Sequence, residues 1–188
     1  MTEITKHDDT TRQLPEAVET FVLQWGDLGG KWGVNRSVSQ IHAYLYLADH
    51  PMTAEEVAHD LDMARSNVSN SLKELMNWNL IYRVPVRGDR RDHFVAETDV
   101  WEIASRIAAG RKAREIDPAL ATLRNCVARA DGDPNVSKEK LKKLTAMLEF
   151  TEAAERWYQQ MLSMPQSKRA MLLKLGAKIS SFLPGGKS

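Results

Sequence analysis

The chain has 188 residues, enough for one domain or a small domain with an appended helical module, and a core of that size needs no disulfide or metal to hold it. A hydrophobic fraction of 43% and a charged fraction of 27% exclude wholesale disorder, and the lone Cys126 excludes a disulfide framework or a cysteine-rich zinc site. Lys and Arg (26) balance Asp and Glu (25), so net charge by itself names no partner.

In chain order, residues 1–13 are polar and acidic, with no apolar signal core, and read as a disordered tail. Pro15, Glu16 and Glu19 open a helix whose apolar stripe runs Val18, Phe21, Val22, Trp25, Leu28 and Trp32. Gly26, Gly29, Gly30 and Gly33 lie in or just after it. Each interior Gly costs up to roughly 1 kcal/mol against Ala, so another helix is expected to approach closely there. Gly30-Lys31 is not a phosphate loop, because Trp32 follows where Ser or Thr is required. A second helix is predicted from Val38 to His50, ended by Pro51.

Thr53-Ala54-Glu55-Glu56 is a capping box that starts a short helix with Val57, Ala58 and Leu61 on one face. After the turn Asp62-Met63-Ala64, a further helix runs from Arg65 to Trp78 with Val68, Leu72 and Leu75 inward, and Asn79 stands where a left-handed residue often ends a helix. Ile81–Val86 and His93–Ala96 read as the strands of a hairpin around the turn Arg87–Asp92, with Pro85 demoting the first to an edge.

Thr98 or Asp99 caps a long helix, and Asp117-Pro118 predicts a kink or restart. Asp131–Asn135 is a loop. Ser137 starts a helix carrying Leu141, Leu144, Leu148, Ala154, Trp157, Tyr158 and Met161 mostly on one side. Pro165 opens a last, basic helix to about Leu183. Its stretch Met171–Leu183, broken by Lys174 and Lys178, is too short to span a bilayer. The expectation is a soluble, cytoplasmic protein with no membrane partner. The fold class is mainly α with a small β-hairpin: a winged helix-turn-helix domain over 14–97, a helical dimerisation and effector region over 98–183, and tails at 1–13 and 184–188.

Charge is uneven along this plan. Residues 1–62 hold 4 basic and 11 acidic side chains; residues 63–91 hold 6 basic (Arg65, Lys73, Arg83, Arg87, Arg90, Arg91) against Glu74 and Asp89. A local basic block suggests a polyanion, the alternative being a solvated charged face. The helix from Arg65 to Trp78 favours the first reading. With its apolar stripe inward, the outward residues are Arg65, Ser66, Asn67, Ser69, Asn70 and Lys73, and four of these six are Ser or Asn, poor helix formers that a plain surface helix avoids. Arg65 suits guanine, Asn67 or Asn70 adenine, and Ser66, Ser69 and Lys73 phosphates, in a major groove that admits one helix. Arg90 at the hairpin suits a narrow minor groove; Arg87 and Arg91 share phosphate contact and bracing, with Asp89 placed to pin one Arg.

The order of elements resembles the MarR-type winged-helix regulators, and more closely their glycine-betaine-synthesis regulator branch, GbsR. The resemblance spans about Leu14 to Leu183. It is carried by Trp25-Gly26, Ser66-Asn67-Val68-Ser69, Leu72-Lys73-Glu74-Leu75, Trp78-Asn79-Leu80-Ile81, the wing Arg87–Phe94, Trp101-Glu102-Ile103, and Arg111 to Pro118. Asn79 and Asp89 depart from the usual Gly and Glu without threatening the fold. The resemblance implies a homodimer on a palindromic operator in double-stranded DNA, usually as a repressor, with release by a small effector such as a quaternary ammonium osmoprotectant. Trp25, Tyr44 and Trp101 are the candidate effector residues, with Trp32, Trp157 and Tyr158 in reserve; on a helical stripe such aromatics are more often core. No cofactor is expected. The five histidines lack the spacing of a helical metal site, and no catalytic constellation is visible. The alternative function is a winged-helix protein-interaction module that does not read DNA.

Overall fold

The computed structural model describes residues 14–179; the expected tails, and residues 180–183 of the expected last helix, lie outside the described residues. The chain forms two compact units that divide between Arg106 and Ile107.

In the first unit, Val18 and Glu19 donate backbone N–H groups to the Pro15 carbonyl (2.8 and 3.0 Å), which starts α1 (Glu16–Lys31). Gly26 and Gly29 find the expected neighbour, whereas a Cβ on Gly30 or Gly33 would meet nothing within 4 Å. A Cβ on Gly29 would fall 1.9 Å from Ser39 Oγ, and one on Gly26 would fall 2.4 Å from Gln40 Cγ, so α1 and α2 (Arg36–Leu47) touch where side chains are missing. Asn35 caps α2 by accepting from Ser37 N at 2.8 Å. This helix is the centre of the unit, with Val38, Ile41, Ala43, Tyr44 and Leu45 all buried. It stops at Leu47 rather than His50. Pro51 bars helical geometry at His50, and the chain straightens early to bring Met52–Thr53 into a sheet.

That pair is β1 (Met52–Thr53), a strand the sequence reading lacked. Thr53 also caps α3 (Ala54–Asp60): its Oγ1 accepts from Glu56 N, while Glu56 Oε2 accepts from Thr53 N at 2.7 Å. After a turn in which Asp62 takes a positive φ of 49°, α4 (Arg65–Asn77) buries Val68, Leu72 and Leu75 as its pattern predicts, together with Ser71. Asn79 is left-handed (φ 55°), and Leu80 N then bonds back to the Leu75 carbonyl.

The hairpin is β2 (Ile81–Val86) and β3 (Asp89–Ala96), in a three-stranded antiparallel sheet of order β1-β3-β2. β2 is therefore an edge, and the register slips between Val84 and Val86, at Pro85. The turn is shorter than expected. Only Arg87 and Gly88 are outside the strands, Gly88 supplying a φ of +88°, while residues 89–92 extend β3. Their uninterrupted charge conceals a strand because both faces of this ribbon are solvated.

Asp99 is the cap of α5 (Val100–Arg111), accepting from Trp101 N at 2.8 Å. Its first two turns lie in the first unit, so the division falls inside α5, whereas the sequence reading sets its boundary at 97/98. In the second unit a π-helical turn (Lys112–Ile116) precedes α6 (Asp117–Ala130). This is the form the expected kink takes. Pro118 has no N–H, and its ring would meet the carbonyl of Arg114 in a regular helix, so the preceding turn widens. Ser137 caps α7 (Lys138–Ser163), and α8 (Gln166–Ile179) follows Pro165. Arg124 binds Glu152 at 2.9 Å between α6 and α7. Leu141, Leu144, Leu148, Tyr158 and Met161 are half-buried, but Ala154 and Trp157 are not on their side: with Met147 and Phe150 they form a second, exposed apolar stripe.

Candidate nucleic-acid interface

The hydrophobic stripe of α4 decides which of its residues face water. Arg65, Ser66, Asn70 and Lys73 are exposed; Asn67 and Ser69 are half-buried. Asn67 Nδ2 donates to Ser37 Oγ at the start of α2 (2.9 Å), so the donor end of its side-chain amide is engaged within the protein. The Arg65 guanidinium is ion-paired with Glu55 of α3. The first pairing braces α4 against α2 and the second braces it against α3, which fixes how the exposed row is presented.

Across a hollow lined by Arg65, Ser69, Lys73, Arg83, Arg91 and Asp92 stands the hairpin. Asp89 pins Arg91. Its carboxylate accepts from Arg91 N (2.9 Å) and from the guanidinium at Nε and Nη2, and His93 Nδ1 meets the Arg91 carbonyl at 2.9 Å. Hydrogen bonds from the Arg91 side chain and backbone, then its charge, hold the Asp89 carboxyl far below the usual carboxylate range. The brace thus stays charged at any pH near neutrality. Arg87 and Arg90 are exposed and make no side-chain hydrogen bond or ion pair among the described residues. Arg83, which the sequence reading counted only as part of the basic block, lies 6.0 Å over the Phe94 ring and 3.4 Å from Asp92. Strand register places it, and register was not readable from the residues alone.

Residues 32–92, which span the helix-turn-helix and most of the hairpin, match the MarR family. The chain is 27% identical over 143 residues to the HTH-type transcriptional repressor GbsR of Bacillus subtilis (strain 168), covering 72% of this chain and 78% of that protein. A crystal structure of a transcriptional regulator shares the fold, with a TM-score of 0.54 and 24% identity over 78% of this chain and 95% of that one.

In this chain the aromatic candidates separate. Trp25 stacks on Phe21 with ring centroids 5.5 Å apart, and both line an apolar hollow with His42, Tyr46, Val100 and Ile103. Tyr44 faces elsewhere: it is buried, and its hydroxyl donates to Asp60 Oδ2 at 2.5 Å. Trp101 is half-buried and does not line the hollow. Trp32, expected on the core stripe of α1, is 53% exposed at its end. Sequence reading missed His42, which is 5% exposed, with Nε2 lacking a hydrogen-bond partner among the described residues; desolvation lowers its pKa to about 4. Among the described residues no group of three or more His, Cys, Asp or Glu is placed to hold a metal, and no helix is long and apolar enough to cross a membrane.

Proposed function

We propose that this chain is a sequence-specific DNA-binding repressor that acts as a homodimer on a palindromic operator. The observation that carries the reading is the pairing of two surfaces: the exposed Ser66, Asn70 and Lys73 row of α4, and a hairpin whose Arg91 is braced while Arg87 and Arg90 stay uncommitted. In this arrangement α4 enters the major groove, with Asn70 rather than the engaged Asn67 reading adenine. Arg65 exchanges Glu55 for guanine, Ser66, Ser69, Lys73 and Arg87 meet phosphates, and Arg90 reaches the minor groove. The similarity to GbsR supports repression.

A single head covers one half-site, so two heads about 34 Å apart read a palindrome. Met147, Phe150, Ala154 and Trp157 of α7 supply the apolar surface for pairing, with Phe150 71% and Trp157 63% exposed in one chain. The effector enters the hollow beside Trp25. Its walls are aromatic, and His42 is neutral at pH 7, so nothing there repels a quaternary ammonium.

The test is binding to duplexes selected by the protein from a random pool, measured between 50 and 200 mM salt. Affinity should fall steeply with salt. Arg90→Ala should weaken all sequences alike by about tenfold, whereas Asn70→Ala should relax preference at one base pair. A protein that selects no sequence, or binds DNA without salt dependence, supports the interaction-module alternative instead.

A further inference from the structure

We propose that Arg106 is a positioning residue that sets the angle of the hairpin against the recognition helix, and through it the reach of Arg87 and Arg90. The proposal rests on the DNA-binding reading above. Arg106 lies on α5, away from the basic block, and its side chain is only 23% exposed. Its Nε donates to Glu102 of the same helix at 3.0 Å. Its remaining nitrogens reach three other places. Nη1 donates to the carbonyl of Asn79, the left-handed residue that ends α4, and to the hydroxyl of Tyr82 in β2. Nη2 pairs with Glu97, just past β3, at 3.1 Å. Tyr82 closes the ring by donating to the same Glu97 carboxylate at 3.0 Å, and its aromatic face lies 5.6 Å from the guanidinium carbon.

One planar cation therefore ties the end of the recognition helix to the bases of both hairpin strands. A guanidinium does this where an ammonium does not, because its donors point in fixed, separate directions. Beyond this point β1 flanks the hairpin at Phe94 and His93, and past Val84 and His93 the hairpin is a two-stranded ribbon. Six residues at roughly 3.3 Å each place the tip about 20 Å from the base. A rotation of roughly 10° at the base moves the tip by about 3 Å, a whole hydrogen-bond length. The tip arginines have no internal partner to correct such an error, so the hinge must be held at the base.

The decisive measurement combines two readouts on Arg106→Met, which keeps most of the buried stem. In the free protein, amide exchange over residues 81–96 should speed up at least tenfold while α1 and α2 are unchanged. On a duplex selected by the wild-type protein, affinity should drop about tenfold, and adding Arg90→Ala should then cost less than threefold, against about tenfold in the wild type. Tyr82→Phe, which deletes one hydroxyl, should shift both readouts in the same direction by about threefold, and it decides the matter if the Met variant fails to fold. Unchanged exchange in the hairpin, or full additivity with Arg90→Ala, overturns the proposal. Failure of the wild type to select any duplex overturns the DNA reading and leaves the exchange result to judge the latch.

Discussion

His42 shows how one residue links packing to a solution property. Its imidazole sits among Phe21, Trp25, Tyr46 and Ile103, where a charge is poorly solvated, and its pKa is about 4 against an ordinary 6.5. The unfolded chain therefore takes up a proton that the folded chain refuses. The penalty is absent above pH 6.5, grows as pH falls, and is complete below about 4, where it reaches about 3 kcal/mol. Thermal melts from pH 7 to 5 should show a falling Tm in the wild type and a flatter profile in His42→Leu; parallel slopes would show that this ring does not govern the window. Depressed carboxylates such as Glu56 and Glu97 act lower, as they are protonated. The same hollow carries the effector proposal. Choline should quench tryptophan emission saturably, and Trp25→Leu should abolish the change; an unresponsive wild type would remove choline from consideration. Periodicity placed Trp25 on a buried stripe correctly, but it gave no sign that Tyr44 turns to Asp60 instead of joining it. Rotamer and tertiary partner, not spacing, decide such convergence.

At the scale of elements, local signals were reliable wherever the physics is local. The box at Thr53 and Glu56, the left-handed Asn79, the caps at Asp99 and Ser137 and the edge strand at Pro85 each depend on groups within a few residues. Thr53 is fully buried and serves at once as cap and sheet residue. Thr53→Ala should lower unfolding free energy by about 1–2 kcal/mol in urea titration, and Thr53→Ser should recover most of it; equal losses in both variants would assign the effect to the methyl group. Elements that depend on distant pairing were harder to read. β1 is two residues long and exists only because β3 lies beside it. The first half of β3 looked like turn because Asp89, Arg90, Arg91 and Asp92 show no apolar alternation, although they continue the ladder toward a two-residue turn. The outward face of α4 was legible from its stripe of Val68, Leu72 and Leu75 except at Asn67 and Ser69, which are half-buried.

For the molecule as a whole, α7 poses the main question. Leu141, Leu144 and Leu148 are half-covered, while Met147, Phe150, Ala154 and Trp157 form a row at spacings of three and four residues that no described residue of this unit buries. A second copy covering that row should make the protein dimeric. Sedimentation equilibrium should give twice the chain mass for the wild type and the single mass for Phe150→Asp combined with Trp157→Asp, with helix content retained by circular dichroism. A monomeric wild type at micromolar concentration would count against both the dimer and the palindromic operator. What the residues determined without help was the chain of local decisions: where most helices begin, which stripe of α2, α3 and α4 is apolar, and where basic charge accumulates. These follow from propensity, capping and periodicity, all short-ranged. Only the tertiary structure decided which of those charges are spoken for. Arg65 and Arg91 are engaged internally, as is the neutral Asn67; among the described residues Arg87 and Arg90 are not, and Arg106, far along the chain, closes on the hairpin base. Such pairings join residues up to thirty positions apart, and their geometry exists only once the core has brought the elements together.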